Sequence, residues 1–161
     1  MRVLFVCLGN ICRSPTAHAA TLEALIDAGV ANHVELDSAG IGAWHVGRPP
    51  DARMQAAAEA AGLTLHGPAR QVTSGELAGW DLILAMDRDN LSDLRAMAPD
   101  DAVRDRIRLF RDYDPDASAA EVPDPYYGGF QGFAEVVRIC RVAANGLADD
   151  IVDRLDGGAV G

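Results

Sequence analysis

Short apolar runs alternate with longer amphipathic segments along this chain. The runs have the length and composition of buried strands, and they cover residues 3–6, 33–36, 81–86 and 106–110. The other segments show helical periodicity, over about 14–28, 51–61, 88–97 and 130–155. Strands that alternate with helices form parallel sheets that are covered on both faces. The pattern therefore predicts an α/β fold, with one domain over residues 1–161 and a central four-stranded parallel sheet.

Local residue types predict where the first helix begins and ends and where the last helix breaks. Ser14 suits an N-cap and Pro15 the first helical position, while Gly29 should stop the same helix. The buried face of this helix is predicted from its apolar positions, Ala17, Leu22, Leu25 and Ile26. In the last helix, the pair Asn145-Gly146 predicts a break.

Two further segments carry local signals. Thr73 and Glu76 have capping-box spacing and predict a short helix that ends near Trp80. Residues 111–129 are rich in Asp, Pro and Gly and predict an extended loop, which is unusually long for a compact domain. Because long ordered loops often carry binding or catalytic residues, this loop is a candidate functional segment.

The composition excludes a membrane-spanning protein and several kinds of partner and chemistry. Hydrophobic residues make up 49% and charged residues 24% of the 161 residues, and no apolar run approaches the length of about 18 that a membrane span needs. The net charge of -10 opposes binding to nucleic acid or to anionic lipid, so neither is expected as a partner. All 14 basic residues are arginine, which excludes lysine-dependent nucleotide loops, Schiff bases and pyridoxal phosphate chemistry.

The three cysteines bear on compartment and cofactors. Their odd number, without an N-terminal signal peptide, indicates a reducing compartment, so we expect a cytoplasmic protein and leave export by a signal-less route open. We also expect a monomer, although no residue pattern specifies the oligomeric state. Cys140 lies in an apolar helical stretch and is predicted to be a buried core thiol. Cys7 and Cys12 find no further ligands at metal-site spacing among the four histidines, so we expect neither a metal nor a cofactor.

Residues 7–15, Cys-Leu-Gly-Asn-Ile-Cys-Arg-Ser-Pro, connect the first strand to the first helix. Gly9 and Asn10 are the residue types that most easily accept positive φ, so backbone N–H groups can turn inward and form an anion-binding nest. The helix N-terminus and Arg13 add positive charge to that nest. These features favour a thiolate at Cys7 beneath a bound phosphate, and they predict in-line attack on phosphorus with a phosphocysteine intermediate.

A phosphate ester of a phenol needs a general acid for its leaving group. The long loop offers four carboxylates, at Asp112, Asp114, Asp116 and Asp124. Asp124 is favoured because two prolines fix its position and two aromatic rings follow it. The other three are predicted to be solvated turn residues. Trp44, in a glycine-rich loop, and Tyr126 with Tyr127 suggest walls for a flat aromatic substrate.

The loop at residues 7–15 resembles that of the low-molecular-weight protein tyrosine phosphatases. Similar segments follow at 37–40, 44–47, 69–71, 86–90 and 124–128, so the resemblance spans nearly the whole chain. It implies a hydrolase whose partner is a phosphotyrosine-containing protein. It also implies that Cys7 is the nucleophile, that Arg13 binds phosphate, and that Asp124 acts as general acid and then as the base that activates water.

The resemblance assigns three further groups of residues. The phosphate-binding loop would consist of Leu8, Gly9, Asn10, Ile11, Cys12, Arg13 and Ser14. The side chains that hold this loop in shape would be Asn10, Ser14 and Ser38, and the substrate pocket would be lined by Ile11, Trp44, Tyr126 and Tyr127. In similar proteins the second loop cysteine, here Cys12, can form a reversible disulfide with the nucleophile that protects it from oxidation. Plain packing beneath the loop is the alternative for Cys12.

Two positions depart from the family pattern. A histidine that usually completes the support network stands three residues before the arginine of Ala-Arg-Gln, where this chain has Gly67, and His66 lies one step earlier. A one-residue bulge could restore the histidine, or another group could replace it. His18 stands where relatives usually carry glutamate, and no role is predicted for it.

Three other functions compete with tyrosine phosphatase activity. Arsenate reductases share the fold and loop but require two further downstream cysteines, whereas this chain has only Cys140 after the loop. Protein arginine phosphatases generally carry threonine where Ile11 stands, so Ile11 favours tyrosine. A non-catalytic phosphate-binding or phosphocysteine-carrying module would have no need of Asp124 and its aromatic neighbours.

Overall fold

Four parallel strands form the centre of the molecule in a computed structural model, which describes residues 1–117 and 121–158. The strands are β1 (Arg2–Cys7), β2 (Glu35–Gly40), β3 (Leu82–Ala85) and β4 (Ile107–Leu109), in the spatial order β2-β1-β3-β4. β1 therefore lies inside the sheet, with its last residue Cys7 opposite Gly40. The chain moves to the other side of β1 between β2 and β3. In α/β sheets, such a switch point places a crevice beyond the carboxyl ends of the strands.

Helices cover both faces of this sheet, as predicted. They are α1 (Arg13–Asp27), α2 (Ala52–Ala60), α3 (Arg88–Met97), α4 (Asp101–Arg104) and α5 (Phe130–Gly158), with short 3-10 turns at Ala31–His33, Ser74–Gly79 and Phe110–Tyr113. Side chains alternate along β1, so that Val3 and Phe5 pack with α1, α2 and α5, while Leu4 and Val6 pack with α3 and α4. The two hydrophobic layers fix β1, and with it the loop that follows, from both sides.

The second strand lies later in the chain than predicted. The apolar pattern indicated residues 33–36, but β2 runs Glu35–Gly40 and His33 belongs to a 3-10 turn. The polar pair Asp37-Ser38 has the composition of a loop. It continues the strand because its backbone pairs with β1, where Ser38 lies opposite Phe5. Ser38 is thereby carried on a rigid element rather than on a loop.

Two predictions about helices are wrong. α5 continues through Asn145-Gly146 without a break, and a Cβ on Gly146 would lie 1.9 Å from the carbonyl oxygen of Tyr113, so glycine is needed there for close packing. On α1, Leu22 and Ile26 are exposed, although their spacing suggested the buried face. The predicted capping box of Thr73 and Glu76 is confirmed. No helix among the described residues is long and apolar enough to cross a membrane.

Candidate active site

The loop between β1 and α1 turns through Asn10. Its φ is +58°, and Asn10 is the one non-glycine residue with positive φ in the described ranges. Its backbone N–H donates to Cys7 Sγ at 3.3 Å, which places an inward amide beside the sulfur. Gly9 does not have positive φ. Glycine suits that position for another reason, because a Cβ there would lie 3.0 Å from the His45 ring.

α1 begins earlier than predicted, with its cap two residues before Ser14, which changes the part that Ser14 plays. The helix starts at Arg13, and Cys12 at the cap position makes no side-chain capping bond. Ser14 is therefore in the first turn and not the N-cap. Its Oγ lies 3.1 Å from Cys7 Sγ, so the hydroxyl contacts the sulfur instead of capping the helix.

The side chain of Asn10 joins the loop to its surroundings. Its Nδ2 donates to Ser14 Oγ at 2.8 Å and to Ser38 Oγ at 2.9 Å. Its Oδ1 accepts from the backbone N–H of Arg70 at 3.0 Å. The predicted group of Asn10, Ser14 and Ser38 is thus brought together, and Arg70 is a fourth member that the sequence did not reveal. Segment 69–72 lies against the end of β2, since Gly40 N donates to Arg70 O at 2.8 Å.

His66 is not part of this network. It is exposed and lines a shallow groove beside Leu22 and Leu63. The amide oxygen of Asn10 accepts from the backbone N–H of Arg70, so a backbone group completes the side-chain contacts of Asn10. His18 is half-buried with its ring stacked on Phe5 at a centroid distance of 6.3 Å, and burial lowers the pKa of its imidazole.

Arg13 is a buried cation whose partners come from two separate segments, the one that follows β3 and the long loop. Only 3% of its side chain is exposed. Its Nη1 donates to Asp87 Oδ2 at 2.6 Å and to Val122 O at 3.2 Å, and its Nη2 lies 3.6 Å from Asp124 Oδ2. Burial by itself lowers the pKa of Arg13, but the neighbouring Cys7 and Asp87 outweigh it and the net shift is upward. The guanidinium is therefore charged at every accessible pH.

Asp87 was missed by the sequence reasoning. It lies two residues beyond the end of β3, just as Cys7 ends β1, and parallel strands bring their carboxyl ends to the same edge. Its Oδ1 also accepts from Asn90 N at 2.8 Å and caps α3. The signal that could have identified it is a carboxylate just beyond a buried strand. That signal is weak, because an aspartate is also expected at this position as the N-cap of α3.

Asp124 lies at the rim of the same cavity. Its side chain is 46% exposed, and its Oδ1 accepts from Tyr126 N at 3.1 Å, so the carboxylate is oriented by its own loop. The loop is attached to the sheet edge by Val122 N, which donates to Met86 O at 2.8 Å. These contacts bring Asp124 to Arg13 across 111 positions of sequence, as residue numbers 13 and 124 show.

The other acidic residues of the loop do not all behave as predicted. Asp112 and Asp116 are exposed. Asp114 is not solvated, because only 8% of its side chain is exposed and its Oδ2 lies 3.6 Å from Arg111 Nε. Asp114 is not among the residues that line the cavity beside Asp124, so its pair with Arg111 is structural.

A cavity of about 230 Å³ lies above Cys7. Its lining includes all the predicted catalytic and pocket residues and most of the predicted loop, namely Cys7, Leu8, Gly9, Ile11, Cys12, Arg13, Trp44, Asp124, Tyr126 and Tyr127. Two members of the predicted loop, Asn10 and Ser14, do not line it. Trp44 is 67% exposed and Tyr127 97% exposed, so the two rings form an open rim rather than a core. His45 also lines the cavity, 6.2 Å from the Tyr126 ring by centroid, and sequence reasoning gave it no role.

The other two cysteines differ from Cys7 in their surroundings. All three are free thiols. Burial, with a smaller contribution from Asp51, raises the pKa of Cys12 to about 12. Burial also raises the pKa of Cys140, which is fully enclosed as predicted for a core thiol. Neither is a thiolate near neutral pH.

A thiol, a guanidinium and a carboxylate thus face one cavity at the carboxyl end of the first strand of a parallel sheet. In an α/β fold, that combination at that edge is the one expected of a phosphate-ester hydrolase.

Comparison with known proteins identifies the family within this class. The family model described as "Low molecular weight phosphotyrosine protein phosphatase" matches residues 2–156. The low molecular weight protein-tyrosine-phosphatase of Streptomyces coelicolor is 41% identical over 160 residues, which cover 98% of each chain. The human low molecular weight phosphotyrosine protein phosphatase is 39% identical over 144 residues, which cover 86% of this chain and 90% of the human one.

Solved structures agree with this result. A crystal structure of a protein tyrosine phosphatase from Entamoeba histolytica superposes with a TM-score of 0.90 at 35% identity, covering 99% of both chains. The present chain belongs to the low molecular weight phosphotyrosine protein phosphatase family. The prediction of a phosphatase with this α/β fold is confirmed.

Proposed function

We propose that this protein hydrolyses phosphotyrosine in proteins through a phosphocysteine intermediate on Cys7. The observation that carries the proposal is the convergence of Cys7, Arg13 and Asp124 on one cavity, with Asn10 N and Ser14 Oγ as polar contacts of the sulfur. Both contacts are positioned to stabilise a negative sulfur.

In the first step Cys7 Sγ attacks phosphorus and the bond from phosphorus to the phenolic oxygen breaks. Arg13 binds the equatorial oxygens as charge spreads over them, because Asp87 and Val122 O hold one guanidinium nitrogen while the other faces the cavity. Asp124 gives its proton to the departing phenolate. Its rim position suits that task, since the leaving group points outward from a phosphate seated on the loop.

In the second step water attacks the phosphocysteine. Asp124, now ionised, accepts a proton from that water, and inorganic phosphate forms as the bond to sulfur breaks. The sulfur leaves as a thiolate. Ser14 Oγ at 3.1 Å can donate to it, and the amide of Asn10 at 3.3 Å also stabilises the charge.

The cavity favours an aryl ester over an alkyl one. Ile11, Trp44, Tyr126 and Tyr127 provide apolar and aromatic surface for a flat ring. Cys7 is buried beneath these walls, so the phosphate must be carried on a side chain long enough to reach it. Tyrosine meets both requirements, whereas phosphoserine would leave the aromatic walls without a partner.

Cys12 is proposed to protect the nucleophile against oxidation. It lines the same cavity as Cys7, and both are free thiols. Peroxide would oxidise Cys7 to a sulfenic acid, and the sulfur of Cys12 would then displace the hydroxyl group as water and form a disulfide. A dithiol reductant would restore both thiols.

The proposed function is tested by hydrolysis of p-nitrophenyl phosphate and of phosphotyrosine, phosphoserine and phosphoarginine peptides. We expect turnover that is selective for phosphotyrosine and is abolished in Cys7→Ser, while Cys140→Ala, a buried cysteine outside the cavity, retains activity. Preference for phosphoarginine would overturn the substrate assignment. Steady turnover by Cys7→Ser would overturn the mechanism.

A further inference from the structure

Arg53 is placed between two segments of the cavity that are distant in sequence. It lies in the first turn of α2, and its side chain is half-exposed. On one side it is bonded to Asp51, and on the other its guanidinium lies over the rings of Tyr126 and Phe133. None of the steps proposed above uses this residue.

The first contact connects Arg53 to the phosphate-binding loop. Asp51 N donates to Ile11 O at 2.9 Å, which fixes the start of α2 on that loop. The carboxylate of Asp51 accepts from Arg53 N at 2.8 Å as the helix cap, and it also accepts from Arg53 Nε at 3.1 Å and Nη2 at 2.9 Å. A two-point bond of this kind fixes the plane of the guanidinium as well as its position.

The second contact connects the same guanidinium to the loop that carries Asp124. The carbon at its centre lies 5.3 Å from the centroid of the Tyr126 ring and 4.8 Å from that of Phe133. Both distances are within the range of cation–π attraction. Tyr126 in turn donates its backbone N–H to Asp124 Oδ1 at 3.1 Å.

We propose that Arg53 is a positioning residue that holds the Asp124 loop in register with the phosphate-binding loop. The contacts form one path from Ile11 through Asp51, Arg53 and Tyr126 to Asp124. The inference rests on the proposed role of Asp124 as general acid. Arg53 touches neither the phosphate site nor the sulfur, so it acts on the reaction through the placement of that carboxylate.

The kinetic test uses Arg53→Met, which keeps the length and apolar contact of the side chain but removes the fork and the charge. We expect kcat/KM to fall about 10- to 30-fold for phenyl phosphate, a poor leaving group, and less than 3-fold for p-nitrophenyl phosphate, because only the poor leaving group needs a well-placed acid. In an Asp124→Ala background the same substitution should have little further effect. Arg138→Met, which removes an exposed pair with Glu135 on α5, is the matched control.

Equal losses for both leaving groups, or full additivity with Asp124→Ala, would overturn the proposal in favour of a merely structural or substrate-binding part for Arg53.

Hydrogen exchange of residues 121–129 gives an answer that does not depend on catalysis. Exchange there should accelerate at least about 5-fold in Arg53→Met while residues 88–97 stay unchanged, since a lost tether lowers the free energy of local opening. Unchanged exchange in 121–129 would refute the tether even if the enzyme had no tyrosine phosphatase activity.

Discussion

Asn10 offers the sharpest test of how the phosphate-binding loop is held. Asn10→Ala removes three hydrogen bonds, to Ser14, Ser38 and Arg70, at about 1 kcal/mol each. It also leaves alanine at a φ of +58°, which costs a further 1–2 kcal/mol or so. The free energy of unfolding should therefore fall by about 4–5 kcal/mol, a large share of the roughly 5–15 kcal/mol that a domain of this kind has.

A second substitution separates the two contributions. Asn10→Gly loses the same hydrogen bonds but accepts the positive φ, so it should be about 1 kcal/mol more stable than Asn10→Ala. Asn145→Ala, at an exposed position in α5, is the matched control and should stay within about 0.5 kcal/mol of the parent. Urea unfolding, followed by circular dichroism, measures all three.

Asn10→Ala should also lower the phosphatase activity, because it displaces the phosphate-binding loop. Asn10 N is a contact of Cys7 Sγ, so a displaced loop weakens stabilisation of both the sulfur and the phosphate. We expect kcat/KM for p-nitrophenyl phosphate to fall roughly 10- to 100-fold in Asn10→Ala under conditions where the variant is folded. A change in unfolding free energy below about 1 kcal/mol, or an Asn10→Gly variant less stable than Asn10→Ala, would show that the network does not hold the loop.

Three further predictions follow from other contacts. Asp124→Ala should lose about 100-fold or more in kcat/KM on phenyl phosphate and much less on p-nitrophenyl phosphate, and equal losses would remove it from the acid role. Peroxide-inactivated enzyme should regain activity with dithiothreitol, whereas Cys12→Ser should regain much less, because without the disulfide excess peroxide oxidises the Cys7 sulfenic acid to the irreversible sulfinic acid; equal recovery would leave Cys12 with a packing role only. Burial raises the pKa of Glu76, but hydrogen bonds from Arg70 and Thr73 outweigh it and lower the value from 4.5 to about 2. The stability that this carboxylate contributes is therefore complete above pH 4.5 and lost as the pH falls toward 2, so the parent should lose more unfolding free energy over that interval than Glu76→Gln.

Local features of this chain could be predicted because local forces decide them. The strand before Cys7, the positive φ at Asn10 and the capping box at Thr73 each depend on residues within one turn or one strand. Each of these features follows from the residue types alone. An apolar run forms a buried strand, asparagine tolerates the left-handed region, and threonine three residues before glutamate forms a capping box. The parallel sheet followed from the alternation of such runs with helices.

The contacts that complete the site depend on tertiary structure. Arg70 N reaches Asn10 across 60 positions, Asp87 reaches Arg13 across 74, and Val122 O reaches Arg13 across 109. Each arises because parallel strands end at one edge and loops meet there, and no periodicity in the sequence specifies which loop atoms will meet. The register of β2 decides that Ser38 faces Asn10, and close packing against Tyr113 decides that α5 passes through Gly146 unbroken. The sequence by itself determined the reactive loop and the sheet that carries it, whereas only the packed fold decided which distant groups hold Arg13 and Asn10 in place.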